Sequence, residues 1–201
     1  MNVTRFLVIT GLILAAAASR LLPHPPNFTP VGAMALFAGA CLARRWTAFL
    51  VPLAAMAPSD LVIYQMHTQR PDPAIYLTFQ GIVYGCFAVM VCVGFWLQAR
   101  RTVPRLTAAA LGSSVLFFVV TNFAVWALGQ GLGYPRTLDG LVACYIAGIP
   151  FFGYTALGDA AYTLLLFGGF AVLEYYLPVL RERVLPAVEP VPAGEGVAAD
   201  R

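Results

Sequence analysis

The chain has no lysine: all twelve basic residues are arginine, set against nine acids and two histidines. Charged residues make up 10% of it, against roughly 25% in an average soluble domain, so an ordinary soluble surface cannot be assembled from what is present. The arginines stand singly or in twos between apolar runs, which excludes the clustered basic face of a nucleic-acid binder. The four cysteines, Cys41, Cys86, Cys92 and Cys144, lie in or beside apolar segments with no CxxC pair and no histidine at metal-ligand spacing, so they read as buried thiols and no metal site is expected. H-E-x-x-H, G-x-S-x-G and Walker signatures are missing, and G-Q-G-L-G-Y at Gly129–Tyr134 reads as a turn at a helix end. Neither an enzyme nor a cofactor is expected.

What is present is hydrophobic: 60% of residues, with a mean hydropathy of +0.79. Apolar runs fall at about 6–22, 31–43, 46–64, 75–97 and 106–128, followed by one from 141 to 177 that is longer than a single crossing needs. Dividing it at Pro150–Gly153 leaves a span at 155–177 and a short re-entrant or surface helix at 141–149. The expected fold is therefore an all-α membrane protein with six transmembrane helices plus that short helix. Residues 1–180 would form one polytopic membrane domain, and the Pro-, Gly- and Ala-rich 181–201 a disordered cytoplasmic tail. A signal peptide is the competing reading of the first run, since Arg5 precedes an apolar stretch ending in small residues.

Counting arginine in alternate loops orients the chain. Arg5, Arg44, Arg45, Arg100, Arg101, Arg105, Arg181 and Arg183 fall on one side, and Arg20, Arg70 and Arg136 on the other. The positive-inside rule then puts both termini in the cytoplasm of a cell inner membrane. The opposite face carries most of the distinctive residues. Pro23, Pro25, Pro26 and Pro30 hold His24, Asn27 and Thr29 on a stiff non-helical ribbon.

Asp60 and Asp159 sit among apolar residues, where a carboxylate facing hydrocarbon would cost about 3 kcal/mol, so each must face a partner or water. Arg20 and Arg136 are the available cations. The two acids could serve as ion pairs and helix caps, or contact a ligand and carry a proton. Asn122 and Trp126 are one helical turn apart, pointing an amide and an aromatic plane the same way; Tyr145 adds a second ring. The ligand-binding set read from the sequence is Arg20, His24, Asn27, Asp60, Asn122, Trp126, Arg136, Tyr145 and Asp159.

The stretches R-L-L-P-H-P-P-N-F-T-P-V-G-A-M-A-L-F-A-G-A (Arg20–Ala40), V-P-L-A-A-M-A-P-S-D-L (Val51–Leu61), T-N-F-A-V-W (Thr121–Trp126), Y-P-R-T-L-D-G-L-V-A-C-Y-I-A-G-I-P-F-F (Tyr134–Phe152) and G-D-A-A-Y-T-L-L-L-F-G (Gly158–Gly168) resemble a family of small bacterial multi-pass membrane proteins of unknown function, usually described as candidate transport proteins. That resemblance supports grouping the site residues together. At the level of fold, the chain is also similar to the substrate-binding S components of energy-coupling-factor vitamin transporters, which meet a coupling subunit through small residues on the first helix. Gly11, Ala15 and Ser19 offer such a face, or pack within the bundle. The implied function is binding a small solute from the extracytoplasmic side for uptake, with the bilayer and a coupling subunit as partners. The alternatives are a non-transporting structural subunit of an envelope membrane complex and a membrane enzyme using the two acids on a lipid-linked substrate.

Overall fold

The computed structural model describes residues 2–66, 72–129 and 133–181, and among these every regular element is helical. Its α-helices are α1 (Val3–Ser19), α2 (Val31–Cys41), α3 (Arg45–Met66), α4 (Pro73–Leu97), α5 (Val103–Leu128), α6 (Leu138–Thr163) and α7 (Gly169–Tyr176). A π-helical turn, Leu164–Gly168, joins α6 to α7, and a single 3-10 turn follows at Pro178–Leu180. Local chemistry sets several boundaries. The Asp72 carboxylate accepts from the Ala74 and Ile75 amides ahead of Pro73 at the start of α4, and the Thr137 hydroxyl accepts from Gly140 at the start of α6. Gly129, at φ 65°, closes α5 in the left-handed region where glycine is favoured.

Among the described residues, four helical stretches are long and apolar enough to cross a bilayer: 45–65, 73–97, 103–128 and 138–176. Two expectations change here. The break at Pro150–Gly153 is absent, because α6 runs through Pro150 and with the π turn and α7 makes one continuous apolar stretch of 39 residues. A proline removes one intrahelical hydrogen bond, which transmembrane helices tolerate when neighbouring helices hold the freed backbone; α5 packs along this stretch. The segment 141–149 is thus the N-terminal part of a long helix, not a separate one.

The second change concerns α2. Its eleven residues, about 16 Å of helix, fall short of a hydrocarbon core of about 30 Å. All eleven are buried, so α2 is a central post with no lipid-facing side. The ribbon from Leu21 to Pro30 leads from the end of α1 to the start of α2. α1, at 17 residues, is at the lower limit of spanning length.

Glycine lets α2 and α4 meet backbone to backbone. A Cβ on Gly39 would strike Val91 O and Gly94 Cα, and one on Gly94 would strike Gly39 Cα and Leu36 O. The buried ends of α2 are also satisfied: Gln98 Nε2 donates to Gly39 O at 2.8 Å and to Leu42 O at 3.4 Å, and the Asp159 carboxylate receives the Ala33 amide at the other end. Phe37 of α2 packs edge-on against Phe167 and Phe170.

At the end away from the ribbon, buried Arg5 reaches Glu174 at 2.5 Å and the Leu180 carbonyl, while Asn2 Nδ2 donates to Val179 O, so the two ends of the described chain lie side by side. Arg45 stands over Phe95 and Arg105 over Trp96 at this same end. The outer surface carries large apolar side chains along α3, α4, α5 and α7, such as Leu50, Leu77, Leu111 and Val172. Gly11 and Ala15 face outward with them, whereas Ser19 turns inward to bond Tyr162 at 2.9 Å. Arg70, Arg183 and the expected tail lie outside the described residues, Arg181 alone excepted.

Candidate functional site

The ribbon enters the bundle through a built turn. Phe28 N donates to Pro25 O at 3.1 Å, Pro26 occupies the second position, and Asn27 at φ 63° occupies the third, the pattern of a type II turn. Asparagine is the residue besides glycine that takes this conformation most readily. The turn lays residues 28–29 on α6 at Gly158, where a Cβ would crowd Thr29 N at 3.0 Å, and Phe28 packs on Tyr162. Non-helical backbone inside a membrane bundle is tolerated where it lines a cavity, and Asn27 and Thr29 do so.

Beneath the ribbon is a chamber of about 720 Å³ between α2, α3, α4, α5 and α6. Its wall on α4 extends from Asp72 to Met90, about 27 Å along the helix axis. Phe79, Phe87 and Phe117 supply aromatic wall, with Phe87 and Phe117 stacked at 5.5 Å. On one side Arg20 Nη2 meets Asp60 Oδ1 at 2.6 Å and Arg20 Nη1 donates to Ser59 Oγ at 2.6 Å. Asp60 Oδ2 takes the Gln80 amide and the Tyr84 hydroxyl, each at 2.8 Å. Asp60 is thus saturated by one cation and two neutral donors, and its charge is cancelled by Arg20.

Asp159 is held differently. It is 3% exposed, receives the Ser114 hydroxyl at 2.6 Å and the Ala33 amide, and has no salt-bridge partner among the described residues. A Cβ on Gly32 would fall on its carboxylate, so glycine there is what lets the acid sit on the first turn of α2. The partner Ser114 is eleven residues into α5, about 16 Å along a helix about 39 Å long. Asp159 therefore stands at mid-bundle, deeper than the boundary position its apolar flanks suggest.

A smaller chamber of about 450 Å³ adjoins the first between α5 and α6, sharing Asn27, Phe79, Phe117 and Thr155 as wall. Asn122 lines it, its amide donating to Phe118 O at 2.8 Å and its oxygen abutting Gly148.

The match to a described family, DUF6580, covers residues 1–180 and so takes in every residue of both chambers. The chain belongs to this family of unknown function. No curated protein and no solved structure matches it.

Of the site residues read from the sequence of this DUF6580 member, Arg20, Asn27, Asp60 and Asp159 line the larger chamber and Asn122 the smaller, with Asn27 common to both. The other four line neither. His24 is exposed, its Nδ1 2.8 Å from Leu22 O; Arg136 is exposed; Trp126 Nε1 donates to Pro135 O at 2.9 Å; and Tyr145 donates to Val119 O at 2.7 Å. Trp126 and Tyr145 thereby brace the α5–α6 hairpin. Sequence reasoning missed Gln80, Tyr84 and Ser114, which hold the two acids. Gln80 and Tyr84 are one turn apart on α4, a polar pair in an apolar helix, and that was the available signal.

Proposed function

We propose that this protein binds a small organic solute in the larger chamber, entering from the ribbon end, and carries it across a cell inner membrane. The supporting observation is the chamber floor: a half-length helix that begins at mid-bundle beside a buried carboxylate, preceded by non-helical backbone that lines the cavity. Interrupted helices meeting near the membrane midplane are the usual way transporters build solute sites, because they free backbone groups and a helix terminus where the solute sits. A chamber of about 720 Å³ is in the size range of small-molecule sites. In this reading the arginine-rich end is cytoplasmic, both termini with it, and the chain makes six passes, the second being the ribbon plus α2.

Native mass spectrometry of the protein extracted gently from its own membrane tests the proposal. The expected result is a retained molecule of a few hundred daltons that disappears when Thr155→Trp fills the wall shared by the two chambers. A stoichiometric protein partner with no small molecule would instead favour the structural-subunit reading.

A further inference from the structure

The charges on the chamber wall do not balance. Arg20 and Asp60 cancel across 2.6 Å, which leaves Asp159 at the floor and Asp72 at the start of α4. Asp159 lies on the first turn of α2, whose N-terminus is worth about half a positive charge, so roughly half a negative charge at the floor remains uncompensated. Buried carboxylates are ordinarily paired; this one has hydroxyl and amide donors only among the described residues. The rest of the wall is uncharged: the neutral polar groups of Asn27, Thr29, Gln80 and Thr155 stand among apolar and aromatic side chains, with Tyr76, Phe79 and Phe117 among its rings. Aromatic faces attract cations through their quadrupoles, more strongly where water is excluded.

Resting on the solute-binding reading above, we infer that the solute is an organic cation: an ammonium or similar group directed at Asp159, with an apolar or aromatic body held between α4 and α5. An anionic solute would meet Asp159 and Asp72 with Arg20 as the single arginine on the described wall, its charge already neutralised by Asp60, its two Nη groups engaged by Asp60 and Ser59, and only its buried Nε left unpartnered.

A series on one ring system, differing only in charge, separates the classes: tryptamine, tryptophol and indole-3-acetate, titrated calorimetrically at neutral pH into the full-length protein in lipid nanodiscs. Tryptamine is expected to bind at least tenfold tighter than tryptophol, and indole-3-acetate more weakly still. Asp159→Asn keeps one oxygen to accept from the Ala33 amide and turns its NH2 to donate to Ser114 Oγ, so it preserves the α2 contact while bringing tryptamine down to the level of tryptophol. If tryptophol or indole-3-acetate binds as well as tryptamine, the solute chamber stands and the cationic class is overturned. If Asp159→Asn leaves the preference intact, the role of Asp159 is overturned. Binding of none of the three overturns the aromatic cation, and the mass spectrometry above then decides separately whether the chamber holds a solute.

Discussion

Asp60 and Asp159 illustrate two ways of keeping a carboxylate inside an apolar bundle. Asp60 is neutralised by Arg20, and both side chains are about one-tenth exposed. Removing one member of such a pair strands the other, at a cost of about 3 kcal/mol, whereas removing both is far milder. Arg20→Ala and Asp60→Ala are therefore each expected to lower thermal stability markedly, and the double variant by much less than their sum; a thermal-unfolding double-mutant cycle in detergent would expose additivity, which would mean that the pair is solvated in the chamber. Asp159 depends on neutral donors, so Ser114→Ala, which strips a hydrogen bond from a buried carboxylate, should destabilise by about 2 kcal/mol, read from the same melts.

α2 is the element on which the architecture turns. A helix buried on every side needs partners for its end groups and room for its backbone, and Gln98, Asp159, Gly32, Gly39 and Gly94 supply these. Gly94→Ala introduces a methyl directly against the Gly39 backbone and is expected to cost about 2 kcal/mol. Gln98→Leu has nearly the same bulk but leaves the Gly39 and Leu42 carbonyls without their side-chain donor, a loss of about 2 kcal/mol. Gly11→Ala, inside α1 and meeting nothing within 4 Å, serves as the control and should leave the melting temperature unlowered, with a small rise from its better helix propensity.

For the whole molecule, the distribution of arginine predicts its orientation. Arg5, Arg44, Arg45, Arg100, Arg101, Arg105 and Arg181 gather at one end of the bundle, while Arg20 and Arg136 belong to the other. With the four native cysteines replaced, Asn27→Cys should react with a membrane-impermeant maleimide in right-side-out vesicles and Arg101→Cys only in inverted ones. The reverse labelling pattern would invert the topology and place the chamber mouth in the cytoplasm.

Much of this was legible from the residues alone. Scarce charge and long apolar runs dictate a helical membrane protein, because an unpaired backbone cannot stand in lipid. Pro26-Asn27 dictates its turn through fixed φ and a tolerated left-handed residue. Arg20, Asp60 and Asp159 stand out because isolated charges in apolar sequence demand an explanation. Only the tertiary structure decided that α2 stops short and is buried all round, since an apolar run reads the same against lipid as against protein. It alone continued α6 through Pro150, where packing on α5 outweighs the local break. It also decided which donor meets which acid: Gln80 and Tyr84 come from α4 and Ser114 from α5, each far in sequence from its carboxylate, and no periodicity encodes such a pairing.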